Sequence, residues 1–176
     1  METEKVIRER KSRRSFEENA VEKEKIKQIL DAARLAPSGI NLQPWHYIVV
    51  QEREHRKALI AAEPPFNNWM KSAPLLIVAC VKKTNAYSLI DLGLSIENLL
   101  LRATDLGLGS TPTVTHNKDK LRKLLKISED YSPEITIALG YVKEKKSLTE
   151  KVMKAVIKGK KNLSEIISWE EFGKKE

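Results

Sequence analysis

The stretch APSGINLQPW, residues 36–45, restricts the possible folds more than any other part of the chain. It sets two prolines, a glycine, an Asn and a Gln between a helical pattern and a run of apolar strand formers. Neither element can pass through it. Pro37 lacks an amide donor, Gly39 opens positive φ, and Pro44 pushes Gln43 toward an extended conformation. The segment is a stiff, donor-rich connector at a helix C-terminus. It reads equally as a helix-to-strand turn and as a ligand-binding loop.

Hydrophobic periodicity gives the elements on either side. Ile26, Ile29, Leu30 and Ala33 recur at helical spacing, which predicts a helix over 21–36, preceded by a short one ending near Ser12. Downstream, 46–51 reads as a buried strand, 53–62 as a helix halted by Pro64 and Pro65, and 66–72 as a short polar and aromatic segment. LLIVACV (75–81) is apolar throughout, so it is predicted as a central strand covered on both faces. The longest predicted helix, 86–106, carries Leu89, Leu92, Ile96, Leu99, Leu100 and Ala103 on a face broader than a peripheral helix needs. Gly93 lies inside it at a cost of roughly 1 kcal/mol relative to Ala. A close helix or backbone neighbour justifies that cost, so this helix is expected at the centre and within a subunit interface. Gly107 is predicted in the left-handed position past its end, with Leu108 folding back.

A third strand is predicted to begin in GSTPTVTH (109–116), a helix over 119–126 capped by Asn117, and a further strand over 135–141. A helix is predicted from about 148 to 157. Beyond it, Leu163, Ile166, Ile167, Trp169 and Phe172 are too apolar to leave in water and must pack on something. Helices mixed with about four separated strands predict one layered domain over 1–176.

Composition then removes function classes. The apolar run at 75–81 is far shorter than the ~20 residues a spanning helix needs. The N-terminus lacks the apolar core of a signal peptide, and Cys80, the single cysteine, sits in a strand as an inert thiol. A cytoplasmic protein is expected. His46, His55 and His116 lack zinc spacing, and no serine lies in a nucleophile elbow. Gly107 and Gly109 follow a helix rather than a strand, which is the wrong context for a dinucleotide fingerprint.

The formal net charge of +8 is concentrated in residues 1–16 and 143–161, with the rest near neutral. Two patches fit one anionic ligand gripped from both ends, or a basic dimeric nucleic-acid-binding protein. Nucleic-acid stacking needs interleaved aromatics, which 143–161 lacks, so a phosphate on a small molecule is favoured. Arg10, Lys11, Ser12 and Arg14 are a compact donor set for it at a helix end, and Lys160 and Lys161 can close from the other side. Lys143, Lys145 and Lys146 read as a solvated face.

These residues also resemble a known family. RERKSRRSF (8–16) resembles the opening motif of the nitroreductase family, with Lys11 where a second Arg or His is more usual. APSGINLQPW is similar to its second signature at every fixed position, and LGLGS (106–110), LGY (139–141) and KKNLSEIISWEEFG follow in order. The resemblance implies an α+β three-layer fold with a mostly antiparallel central sheet flanked by helices. It further implies an intertwined homodimer whose C-terminal tail extends over the partner, with flavin mononucleotide (FMN) held between protomers.

By that resemblance Arg10, Lys11, Ser12 and Arg14 bind FMN from one subunit, with Lys160 and Lys161 adding to the phosphate site. Pro37, Ser38, Gly39, Asn41 and Gln43 border the ring from the other subunit. Asn67 or Asn68 faces the pyrimidine edge, Arg14 and Lys71 supply positive charge near N1 and O2, and Thr111 or Thr113, or an amide between them, lies at N5. The implied activity is NAD(P)H-dependent reduction of nitroaromatics, quinones or related small-molecule acceptors in a ping-pong cycle. The flavin carries the chemistry and no residue is assigned a catalytic role. GSTPT also resembles the family's dehalogenating branch, whereas Asn41 and Gln43 match the ordinary pattern.

Overall fold

The computed structural model describes residues 2–82, 86–144 and 159–175. The predicted helix at 148–157 and the side chains of Lys145 and Lys146 lie outside them. In chain order the elements are α1 (Thr3–Glu9), α2 (Lys23–Arg34), a 3₁₀ turn (Gly39–Asn41), β1 (Trp45–Val50), α3 (Arg53–Ala62), and a 3₁₀ helix (Pro65–Ser72). There follow β2 (Leu75–Lys82), α4 (Ser88–Asp105), β3 (Gly109–Val114), α5 (Lys118–Leu125), β4 (Tyr131–Gly140) and a last 3₁₀ turn (Leu163–Glu165).

The strands form one antiparallel sheet in the order β1-β2-β4-β3. Side chains of β2 alternate between two cores, because successive strand residues point to opposite faces. Leu75, Ile77, Ala79 and Val81 pack with α2 and α4, while Leu76, Val78 and Cys80 pack with α3, the 3₁₀ helix and α5. The fold is therefore α+β in three layers. β2 is buried along its length except at Lys82, as its unbroken apolar sequence required.

Local details follow the same logic. α4 ends in a Schellman motif: Gly107 at φ 77° donates to Thr104, and the Leu108 amide donates to Ala103. Asn117 does occupy the N-cap position of α5, but its side chain does not cap the helix and donates instead to the Ala62 carbonyl at 2.9 Å. β4 starts at Tyr131, earlier than predicted, because a bulge between Ala79 and Cys80 of β2 accommodates Pro133 inside a central strand. Within the protomer nothing lies within 4 Å of a Cβ placed on Gly93, and its neighbours Leu89, Ile90 and Leu94 are exposed.

Candidate functional site

Residues 10–14 are fixed against the free edge of β3. Ser12 forms a parallel bridge with Ser110, and the Arg13 amide donates to the Ser110 carbonyl at 3.1 Å. The Thr111 hydroxyl donates to the carbonyls of Arg13 and Ser110, so this threonine is a clasp for the segment. Gly109 makes the close approach possible: a Cβ there would meet the Arg13 side chain at 2.9 Å and Val142 at 2.4 Å. Pinned in this way, the segment leaves Lys11 and Ser12 exposed, sends Arg10 to within 3.5 Å of Glu97, and lays Arg14 over Trp69 at 5.5 Å from the ring centroid.

Trp69 belongs to the 3₁₀ helix Pro65–Ser72, whose threefold period sorts its side chains into ridges. Asn67 and Met70 form the buried ridge. Phe66 and Trp69 form a second, and Phe66 meets His116 edge-on at 5.1 Å. Asn68 and Lys71 form a third and line a different cavity with α3. The two asparagines that the sequence left as alternatives are thus in different surroundings. Asn67 donates to Glu63 at 3.4 Å, whereas Asn68 is exposed. The structure does not bring Lys71 onto the ridge that carries Trp69 and Arg14.

Glu63 is the organising residue behind that second ridge. Its side chain is fully buried, and Oε2 accepts from the His116 backbone amide at 3.2 Å and from His116 Nδ1 at 3.1 Å. Along β3, Thr111 and Thr113 point to the face that carries the 3₁₀ helix, since their partners Ala138 and Thr136 do. The Thr111 hydroxyl is committed, while that of Thr113 makes no hydrogen bond among the described residues.

The connector at 36–44 lies elsewhere. Gly39 donates to both carboxylate oxygens of Asp91 on α4, and the Gln43 amide donates to Ser38 Oγ at 3.0 Å. Contrary to the expectation from sequence, positive φ falls not on Gly39 but on Ile40, Asn41 and Gln43, at 43°, 59° and 47°, and Gln43 is left-handed rather than extended before Pro44, its amide held by Ser38 Oγ. Pro37, Asn41 and Gln43 are exposed, and Ile40 is 91% exposed. Strained backbone in an exposed, tightly held loop is a recurrent mark of ligand contact.

Lys160 and Lys161 are exposed, and no hydrogen bond or ion pair joins them to residues 10–14 within the protomer. The tail beyond them presents Leu163, Ile166, Trp169 and Phe172 to the outside. Among the described residues no group of acids, histidines or cysteines could hold a metal ion, and no helix is long and apolar enough to cross a membrane.

Ser12 and Lys11 beside Arg10 and Arg14 are a donor set for a phosphate, with an aromatic and hydroxyl-bearing wall next to it in Trp69 and Thr113. That arrangement fits a phosphorylated aromatic cofactor such as FMN. The chain matches the nitroreductase family over residues 7–64 and 61–141. It belongs to that family.

Among nitroreductase relatives, it is 36% identical over 155 residues to a protein from Archaeoglobus fulgidus named putative NADH dehydrogenase/NAD(P)H nitroreductase, covering 83% of this chain and 88% of that one. It is 26% identical to an iodotyrosine deiodinase from Thermotoga neapolitana, over 77% of this chain and 86% of the other. Among solved structures, an FMN-dependent nitroreductase from Clostridium difficile superposes with a TM-score of 0.75 at 31% identity, covering 90% and 98% of the two chains. The two motifs, 8–16 and 36–45, are continuous in sequence and could be read there. Asp91, Glu63 and His116 could not, because each works through a partner more than fifty positions away or at an element boundary.

Proposed function

We propose that the protein is an FMN-dependent oxidoreductase that uses NAD(P)H to reduce nitroaromatic, quinone or related acceptors, and that it works in the cytoplasm as an intertwined homodimer. One observation carries the dimeric site. The connector at 36–44 precedes the start of β1, while residues 10–14 lie beside the start of β3. The strand order separates β1 from β3 by three steps of about 4.8 Å, about 14 Å in all. Register puts the start of β1 just past the level of the end of β3, six residues or about 20 Å along the strands from the level of Ser110. Two motifs on diagonal corners of one sheet meet at a common ligand when a second copy supplies one of them.

Bound FMN would supply the redox chemistry, accepting a hydride from the reduced nicotinamide and passing electrons to the acceptor. The chain's own work is to bind and orient. Arg10, Lys11 and Ser12 hold the phosphate, with Lys160 and Lys161 of the tail closing over it. Arg14, backed by Trp69, places positive charge beside the ring, and its stacking keeps the guanidinium from turning to solvent. Ser38, Gly39, Asn41 and the neighbouring Pro37 and Gln43 cover the ring from the second copy. The exposed Leu89, Ile90 and Leu94 of α4 and the apolar tail are the surfaces that the second copy buries.

A second reading, a dehalogenase-like enzyme of the same fold, is favoured by one feature. Thr113 offers an uncommitted hydroxyl on the face of the sheet that carries Trp69. The purified protein is expected to be yellow, to elute as a dimer, and to bleach on addition of NAD(P)H without air. A colourless monomer that ignores added FMN is incompatible with the proposal. Removal of the Thr113 hydroxyl by Thr113→Val separates the two readings. A dehalogenase-like enzyme loses turnover of a halophenol, while a nitroreductase keeps its turnover of a quinone.

A further inference from the structure

Between α3 and the 3₁₀ helix Pro65–Ser72 lies a cavity of about 540 Å³. It is lined by Arg53, Arg56, Lys57 and Lys71, with Asn68 and Ile60, and by no carboxylate. Arg53 and Lys57 stand four residues apart on one face of α3. Asn68 and Lys71 stand three apart on one ridge of the 3₁₀ helix, so cations confront each other across the space. Arg56 is anchored by neutral acceptors alone, its Nη1 donating to the carbonyls of Gln51 at 3.3 Å and Pro74 at 2.8 Å. Burial, and then the charge of Arg53, hold the Arg56 guanidinium below its usual pKa. Of the acids at the start of α3, Glu54 pairs with Lys57 at 2.7 Å and Glu52 with His55 at 2.5 Å, and neither Arg53 nor Lys71 has an ion-pair partner among the described residues.

Lys57 is paired with Glu54, but the charges of Arg53, Arg56 and Lys71 around one concave space still repel each other, and an anion of high charge density reverses the sign. A phosphomonoester carries close to two negative charges and several acceptor oxygens. Position narrows the choice. Asn68 and Lys71 share their short helix with Trp69, which stacks on Arg14, so the cavity lies about one helix width, roughly 10 Å, from the Arg14–Trp69 pair proposed to flank the flavin.

Resting on the oxidoreductase reading, we propose that this cavity binds the 2′-phosphate of NADPH and makes NADPH the preferred reductant. NADH lacks that group and leaves the cations uncompensated. Free phosphate or another phosphomonoester shares the chemistry, and the experiment distinguishes them.

The test uses FMN-loaded protein and the Arg53→Ala/Lys57→Ala double variant, both of whose side chains are exposed. Wild type is expected to show a KM for NADPH at least about tenfold below that for NADH, and competitive inhibition against NADPH by 2′-AMP but not by 5′-AMP or inorganic phosphate. The double variant should raise the NADPH KM about tenfold while kcat and the NADH KM stay within about twofold. Equal KM values in wild type, equal changes for both reductants, or inhibition by 5′-AMP or phosphate to the same degree overturn the inference while the oxidoreductase reading stands. A protein that oxidises neither reductant overturns both.

Discussion

The backbone amide of Gly39 donates to both carboxylate oxygens of Asp91, at 3.2 and 3.3 Å, and Asp91 is only 4% exposed. This ties the exposed 39–43 loop, with its three left-handed non-glycine residues, to the first turn of α4. Residues such as Ile40 in that region cost on the order of 1–3 kcal/mol each, and the tether keeps them there. Asp91→Ala should lower stability by about 1–2 kcal/mol, because the half-buried Gly39 amide loses its acceptor. It should also weaken FMN binding about tenfold, read by flavin fluorescence quenching. Asp91→Asn keeps one acceptor oxygen and should restore most of the affinity. Loss of stability with unchanged FMN affinity in the alanine variant would mean that the loop does not border the flavin.

Gly93 offers a test of the dimer with opposite signs for the two outcomes. In the isolated protomer a Cβ there meets nothing within 4 Å, so Gly93→Ala should stabilise α4 by up to about 1 kcal/mol through helix propensity alone. If a second copy packs its backbone against this position, the added methyl destabilises the dimer instead. We expect the destabilisation: a lower Tm, with a concentration-dependent shift toward monomer in sedimentation. A higher Tm at every concentration would remove the α4 face from the interface.

Much of this was legible in the sequence, for definite reasons. The alternation and length of the apolar run in β2, the Schellman end of α4 and the proline boundaries of the 36–44 loop are local, so residue order alone encodes them. Pro133 concealed the first part of β4, since a proline inside a central strand is tolerated only by a bulge in the neighbouring β2. Asn117 read as a cap, yet its amide found the Ala62 carbonyl, a partner 55 positions away. The choice between Asn67 and Asn68 needed the phase of a 3₁₀ helix, which an eight-residue segment with prolines at its start does not reveal. Glu63 carries no local signal, since its partner His116 stands 53 positions away and reaches it only through the fold.

Glu63 should therefore behave as a core residue. Its fully buried carboxylate accepts from the His116 amide, His116 Nδ1 and Asn67, and so joins the ends of α3 and β3 to the 3₁₀ helix. Glu63→Ala leaves those donors without an acceptor and should cost about 2–4 kcal/mol, read as a lower urea midpoint with an unchanged slope. Glu63→Gln retains one acceptor and should cost less than half as much. His116→Ala, which removes only a partly exposed ring, should cost about 1 kcal/mol or less. A near-neutral Glu63→Ala would mean that water replaces the carboxylate and that the cluster does not order the site wall.

Stability should fall steeply in alkali, and two buried groups account for most of the slope. Burial pushes the Tyr47 phenol up to about 12, partly offset by its hydrogen bond with Ser95 at 2.7 Å. Burial likewise pushes the Cys80 thiol up to about 11. Both acids are raised in the folded state, so the unfolded chain loses their protons first, at about pH 8.5 for the thiol and about 10 for the phenol. Their contribution is complete below those values and is lost as pH rises through about 11 and 12. At 1.36 kcal/mol per unit, each shift corresponds to roughly 3 kcal/mol. Urea unfolding at pH 8, 10 and 11.5 should show this decline in wild type. Cys80→Ala should flatten it between pH 9 and about 11, and Tyr47→Phe between about 10 and 12. The Tyr47 hydroxyl donates to Ser95, which donates to the Ala33 carbonyl, so Tyr47→Phe should also lower stability at neutral pH by about 1 kcal/mol. An alkaline decline identical in wild type and both variants would assign it to surface lysines and not to these two buried acids.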